Sequence, residues 1–229
     1  MPSLKLIDHP GPGSFLVFCG VDGTGKSTVV DLVRQGLEQR GQVTQMIKQP
    51  SPFIREYKPF RDHVEGRNRE DYAYSAISMI VQADRVQMSA QVIGPAMAEG
   101  KVVISDRYVL SGLARLILAG ETETEWFYAT SRLMIKPTRT FLLHADPKVI
   151  RKRLDARDFE VTDDQQFEEI VTQQEIMLKL AKDMDVLTIN TSDIQAEEAV
   201  ARVFENLPNL SSSAAPAELG WNSPAAVSP

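Results

Sequence analysis

A single cysteine, Cys19, in 229 residues excludes an intrachain disulfide and a cysteine metal cluster. It ends the apolar run from Phe15, which marks it as a buried spectator. The three histidines, His9, His63 and His144, lie in unrelated segments without metal-ligand spacing, so no role is assigned to them. Long apolar runs are missing: nothing approaches the roughly eighteen residues a membrane-crossing helix needs. The opening MPSLKLIDHPGPG also lacks a basic stretch leading into an apolar one. A soluble cytoplasmic protein, without membrane, is therefore expected. Positive charge is short as well, 25 Lys and Arg against 31 Asp and Glu for a net −6. That argues against a general affinity for nucleic acid or anionic lipid, both of which need a positive field. Any anion site must be local.

What is present fits one well-buried domain, with 43% apolar and 24% charged residues. Short β-like runs alternate with helical segments, the signature of βα units around a mainly parallel sheet. The strands are expected at Phe15 to Cys19, Val43 to Lys48, Val102 to Ser105, Thr140 to His144 and Val186 to Ile189. Several are nearly continuous apolar runs, as strands covered on both faces require. Helices are expected at about 26–40, 71–99, 109–119, 122–134, 147–156, 165–183 and 195–207. Residues 209–229, rich in Ser, Ala and Pro, read as a disordered tail after a domain spanning 1–208. Trp221 is the one tail residue able to bury much area.

Between the strand FLVFC and the helical pattern from Ser27 lies Gly20-Val21-Asp22-Gly23-Thr24-Gly25-Lys26-Ser27, a match to G-x-x-x-x-G-K-[ST] in the strand-loop-helix setting that motif needs. Glycines let backbone N–H groups converge on phosphate oxygens, and the helix N-terminus adds partial positive charge. Gly20, Gly23, Thr24, Gly25 and Lys26 would cradle ATP, with Lys26 on the β- and γ-phosphates. Ser27 would offer its hydroxyl to Mg²⁺, and Thr28 would support the α-phosphate. The fold class is then α/β, a P-loop NTPase three-layer sandwich with a five-stranded sheet. The plainer alternative is a glycine-rich turn that only caps a helix.

Neither D-x-x-G nor N-K-x-D follows the loop, which disfavours a GTPase. Instead the third strand runs into Asp106-Arg107-Tyr108, placing a carboxylate at a strand's C-terminal end, where open α/β sheets bind ligands. Asp106 can orient a metal or its waters, and Arg107 can hold a second phosphate. A helix cap followed by a surface arginine is the alternative.

The stretches FCGVDGTGKST, SDRYVLSGLA and ARDFE together resemble the thymidylate kinases, in order, from about Phe15 to Leu207. The resemblance implies that Asp22 lies near the acceptor's sugar, that Arg107 binds its phosphate, and that Asp106 serves the catalytic centre. Arg85, in Gln82-Ala83-Asp84-Arg85, matches the family arginine that contacts thymine. An arginine paired with Asp84 at the helix edge is the competing reading of Arg85. The family also carries a lid after the fourth strand, here at about 151–164, where Arg151-Lys152-Arg153-Leu154-Asp155-Ala156-Arg157 supplies guanidinium groups. Members without a basic residue inside the loop take it from the lid, and position 23 is glycine. Arg153 and Arg157, four apart and so on one helix face, are the expected transition-state arginines. A solvated face with Arg–Asp pairs remains the alternative.

Three departures concern the acceptor. Val81 stands where the family usually has an aromatic that stacks on thymine. Arg115 stands where it usually has Tyr or Phe near the sugar, adding a positive charge able to read another anionic group. Lys48-Gln49-Pro50 replaces Arg-Glu-Pro and lacks the following glycines, with Arg55 a substitute phosphate contact. The acid-rich stretch from Glu121 to Glu125 reads as a helix start. The aromatics Trp126, Phe127 and Tyr128 after it are expected against a neighbouring helix or a second subunit, which leaves a homodimer open. The expected function is ATP-dependent, Mg²⁺-requiring phosphorylation of a nucleoside monophosphate, dTMP first. The alternatives are the same transfer to another nucleotide or phosphorylated metabolite, and a nucleotide-binding protein that has lost catalysis.

Overall fold

The computed structural model describes residues 4–9, 11–67, 69–156 and 163–207, so the expected tail falls outside the described residues. Five strands form one sheet: β1 (Ser14–Cys19), β2 (Thr44–Lys48), β3 (Val102–Asp106), β4 (Arg139–His144) and β5 (Val186–Asn190), in the order β2-β3-β1-β4-β5. All four pairings are parallel. The helices among the described residues are α1 (Lys26–Glu38), α2 (Pro52–Glu56), α3 (Lys58–Val64), α4 (Tyr74–Met88), α5 (Gly94–Ala98), α6 (Val109–Leu118), α7 (Glu125–Ser131), α8 (Pro147–Asp155), α9 (Asp164–Ala181) and α10 (Ala196–Glu205).

Alternation along β1 divides the core into two layers. Phe15, Val17 and Cys19 point into a cluster shared with α6 and α9, while Leu16 and Phe18 point into one shared with α1 and α10. The three central strands β1, β3 and β4 are thus covered on both faces, the reason their runs are largely apolar, whereas the edge strands β2 and β5 each bury a single residue. Cys19 is fully buried, and burial pushes its thiol upward, away from the reactive thiolate. Phe127 of α7 is equally buried, with Trp126 and Tyr128 packed partly against the same cluster.

Two features depart from the expected pattern. The long helix foreseen at 71–99 is interrupted between α4 and α5 by a π-turn over Ser89–Ile93. Gly94-Pro95 explains it, because Pro95 donates no backbone hydrogen bond and its ring crowds the preceding turn. The seat is occupied: Ser89 Oγ accepts from the Ile135 N–H at 2.7 Å. The other departure is α2 and α3, which carry Pro52 and Pro59 in their first turns and are five and seven residues long. Helices so short show no apolar period.

β1 lies between β3 and β4, so chain direction across the sheet reverses there and opens a crevice at the C-terminal strand ends. The register sets Phe18 abreast of Asp106 and Lys48 abreast of Asp106. The segment after β1, the end of β3 and the end of β2 therefore meet at one place.

Candidate active site

Gly20 to Thr28 bridges β1 and α1 as one tight loop. Gly23 holds φ 84°, and a Cβ there would stand 2.9 Å from Ile150 Cγ2 and 3.2 Å from Ile150 O, so only glycine lets α8 approach the loop. Thr24, fully buried, donates from Oγ1 to Val21 O at 2.8 Å. Thr191, just past β5, puts its Oγ1 3.0 Å from Thr24 O and 3.2 Å from His144 O. Arg153 on α8 donates to Gly23 O at 3.2 Å and to Thr191 O at 2.6 Å. The loop is thus braced from outside by α8 and β5. Ser27 and Thr28 remain exposed at the start of α1. Arg157 lies outside the described residues.

Lys26 is buried and donates from Nζ to Asp106 Oδ1, while Lys48 Nζ stands 3.9 Å from Asp106 Oδ2. Burial and then the Arg107 guanidinium hold the Lys26 pKa below that of an ordinary lysine, against the pull of Asp106. The hydroxyl of Ser27 and the carboxylate of Asp106 are oxygen donors only. That set suits a hard cation which takes its other ligands from water and phosphate, as Mg²⁺ does.

Arg107 has φ 73°, the left-handed region, which costs a non-glycine residue about 1–2 kcal/mol. Four hydrogen bonds hold it there. Its N–H donates to Phe18 O at 2.8 Å, its carbonyl accepts from Ser105 Oγ at 2.6 Å, and its guanidinium donates to Gly20 O at 3.1 Å and Asp22 Oδ1 at 2.9 Å. The twist turns the side chain back over the loop. Strain of this kind, held by its surroundings, concentrates at functional positions.

Beside Arg107 opens a cavity of about 440 Å³, into which Lys48, Arg55, Arg85 and Arg115 also project and whose one lining carboxylate among the described residues is Asp22. Arg85 is 5% exposed and donates to Gln82 Oε1 at 3.2 Å, but its Nε has no partner. Asp84 does not pair with it. That carboxylate accepts from Ser51 N–H at 2.9 Å and Ser51 Oγ at 2.5 Å, tying the β2 exit to α4 and leaving Arg85 to the cavity. The guanidinium lies flat on Gly112, where a Cβ would come within 2.7 Å of Nη1. Both amide atoms of Gln49 and the Ser111 hydroxyl, all lining the cavity, are also without hydrogen-bond partners. Buried polar groups are nearly always paired, so four orphaned atoms around one cavity mark a place for a polar ligand.

A family model described as thymidylate kinase matches residues 18–203. The chain belongs to the thymidylate kinase family. It is 34% identical over 176 residues to a probable thymidylate kinase of Thermococcus kodakarensis, spanning 73% of this chain and 84% of that one. A probable thymidylate kinase of Thermococcus gammatolerans is 29% identical over 208 residues, 86% of this chain and 95% of its own. With a thymidylate kinase of Bifidobacterium longum subsp. infantis the identity is 35% over 150 residues, but the match covers 62% of this chain and 64% of that one.

Against the thymidylate kinase pattern, the departures gather in the cavity. Val81, 7% exposed, lines it beside Ile77, and Phe60 from α3 packs on both while also facing the cavity. An aromatic ring thus lies beside position 81, contributed by the neighbouring α3. Tyr74 and His63 meet at the same rim with ring centroids 4.6 Å apart. Arg55 donates to Pro50 O at 2.9 Å, which aims it along the β2 exit toward Arg107. Phe60, Thr191 and the Asp84–Ser51 tie lie outside the motifs, and only the folded chain brings them to the site.

Proposed function

We propose that this protein transfers the γ-phosphoryl group of ATP to the phosphate of a nucleoside monophosphate, with dTMP the leading acceptor. The observation that carries the reading is the juxtaposition at the C-terminal strand ends. A braced phosphate loop with its lysine faces a cation-lined cavity, and Arg107 stands between them bonded to the loop. Family membership supports the same chemistry. An oxygen of the acceptor phosphate attacks the γ-phosphorus as the bond to the bridging β–γ oxygen breaks, giving ADP and a nucleoside diphosphate.

Each residue acts by position and charge. Loop amides and Lys26 hold the donor phosphates, exchanging the Lys26–Asp106 contact for phosphate oxygens. Arg107, with Arg55 and Lys48, fixes the acceptor phosphate in line, and Asp22 orients Arg107 and approaches the sugar. Arg85 meets the base edge. Arg153 and Arg157 add positive charge where the transferring group spreads its negative charge over equatorial oxygens. Ser27 and Asp106 would hold Mg²⁺, which supplies charge neutralisation at the phosphates. A homodimer belongs to the proposal, resting on Met79 and Ile80, 46% and 38% exposed on the outer face of α4. So does a cytoplasmic location, where ATP and nucleotides occur together. No described helix is long and apolar enough to cross a membrane.

ADP release measured with ATP, Mg²⁺ and a panel of monophosphates tests the reading. Turnover with dTMP is expected, and ATP binding without turnover on any acceptor would sink it. Val81 and Arg115 favour a second reading, the same transfer to a different acceptor, which the same panel distinguishes.

A further inference from the structure

A second cavity, of about 690 Å³, opens at the opposite edge of the sheet from the phosphate loop. Thr140 and Val186, abreast of one another near the starts of β4 and β5, line it at the N-terminal strand ends. Its deepest lining is apolar: Leu113 of α6 and Leu180 of α9 are buried, with the half-buried Leu6 and Met184 beside them. The rim is polar, with Lys5, Asp8, Lys136, Asp183 and Asp185 exposed. Protein interiors are packed without gaps of this size, so the hollow suits a group that is apolar in body and polar at one edge. Nothing in the phosphoryl-transfer reading occupies it.

The described chain ends at this rim. Arg139, the first residue of β4, donates from Nε to Asn206 O at 3.4 Å and holds Nη1 3.7 Å from Asp185 Oδ2, so the exit of α10 and the cavity rim share one arginine. Residues 208–229 follow, and Trp221 is their one aromatic. Fourteen positions separate it from Leu207, a stretch able to extend about 45 Å, so reach is no obstacle. An indole is apolar except for a single N–H donor, and the carboxylates of Asp183 and Asp185 stand at the rim to accept it. Glu218, the one charged residue of the segment, finds Lys5 and Lys136 there, although Lys136 Nζ already lies 3.8 Å from Asp8 Oδ1. A segment joined to the cavity's edge also meets it at a high effective concentration, an advantage that no free ligand shares.

We infer that the segment around Trp221 folds back within its own chain and fills this cavity, its ring against Leu113 and Leu180 and its N–H on a rim carboxylate. Docked there, it braces the edge of the sheet where the segment 4–9 joins the body through the bridge of Ile7 to Ile135. The inference is independent of the kinase reading, since the acceptor cavity and the phosphate loop lie at the other strand ends.

The full chain has two tryptophans, so Trp126→Phe leaves Trp221 as the sole indole. In that protein the emission should be blue-shifted, and acrylamide should quench it about threefold less than it quenches a synthetic peptide of residues 208–229, because a buried ring is shielded from the quencher. Leu6→Glu, which sets a charge among the apolar lining, should return quenching to about the level of the peptide. Met184→Glu repeats the test from α9's side of the cavity, and thermal melting shows which of the two proteins is folded. Trp221→Ala in the parent chain should lower the melting temperature by about 2–4 °C. Peptide-like quenching in the Trp126→Phe protein would overturn the inference, as would an unchanged melting temperature for Trp221→Ala. Shielding that survives both cavity substitutions in folded protein would place Trp221 elsewhere, and shielding lost on dilution would assign the cavity to the tail of a second copy; either result is equally fatal.

Discussion

The loop side of the proposed site and the cavity side differ in how completely the protein satisfies itself. Around the loop every singled-out contact closes on another protein group: Thr24 on Val21, Thr191 on Thr24 and His144, Arg153 on Gly23 and Thr191, Lys26 on Asp106. Across the cavity, Gln49, Ser111 and Arg85 present atoms with no partner. A triphosphate is the same in every P-loop protein, so its cradle can be built rigid in advance. An acceptor differs from enzyme to enzyme, and its recognition falls to groups that stay unsatisfied until it arrives.

The sharpest way to break this contrast is to remove one group on the loop side. Lys26→Met should lower kcat by about a thousandfold or more, because the charge it supplies at the transferring group is replaced by nothing. The fold should persist, since β1 and α1 pack through Val29, Val30 and Val33 rather than through the lysine. Titration with dTMP should show acceptor affinity within a few-fold of the parent. ADP release at the parental rate would remove Lys26 from the reaction.

On the cavity side, Arg107→Ala should raise the acceptor KM about a hundredfold and leave the ATP KM within about threefold, the reverse division. Loss of a charge-assisted contact to phosphate sets the size. Equal effects on both substrates would erase the distinction between the sides. Arg107→Gly serves as a companion. It lacks the same guanidinium but fits φ 73° without strain, so it should melt higher than Arg107→Ala by about 1 kcal/mol of stability.

How much of this was legible in the chain follows the same division. Gly20 to Thr28 is contiguous, so motif and strand-loop-helix context disclosed it together. The central strands β1, β3 and β4 are apolar runs because both faces are covered, and they stood out for that reason. By contrast, Thr191 reaches the loop only because β5 lies next to β4, and nothing in its neighbours marks it. Phe60 comes from a helix too short to show a period, and it matters only because Val81 leaves room beside it. Arg85 was visible as a candidate, but its choice between Asp84 and the cavity depends on Ser51 taking the carboxylate, a contact 33 residues away in the chain. Arg153 was visible as a charge, while its partners on the loop and after β5 were not.

A smaller and more local test concerns the seat of Arg85. Gly112→Ala introduces a Cβ 2.7 Å from the guanidinium, which must lift away from α6. The end of an arginine side chain can yield, so stability should fall by no more than about 1 kcal/mol, while acceptor kcat/KM drops by roughly tenfold. An unchanged kcat/KM in a folded Gly112→Ala variant would show that Arg85 does not touch the acceptor.

The gentlest change tests whether the aromatic surface has moved from position 81 to α3. Phe60→Ala removes the ring facing Val81 and Ile77. If that ring contacts the base, the acceptor KM should rise about three- to fivefold, since an aromatic contact of this kind contributes about 0.5–1.5 kcal/mol. The ATP KM should not move, because Phe60 lines the cavity and not the loop. Val81→Phe then supplies the complementary arm. In the parent the two rings would compete for one space and the variant should lose acceptor affinity, whereas in the Phe60→Ala background the new ring should restore it. Failure of that rescue, with both proteins folded, would mean that Phe60 packs the rim of the cavity without reading the base.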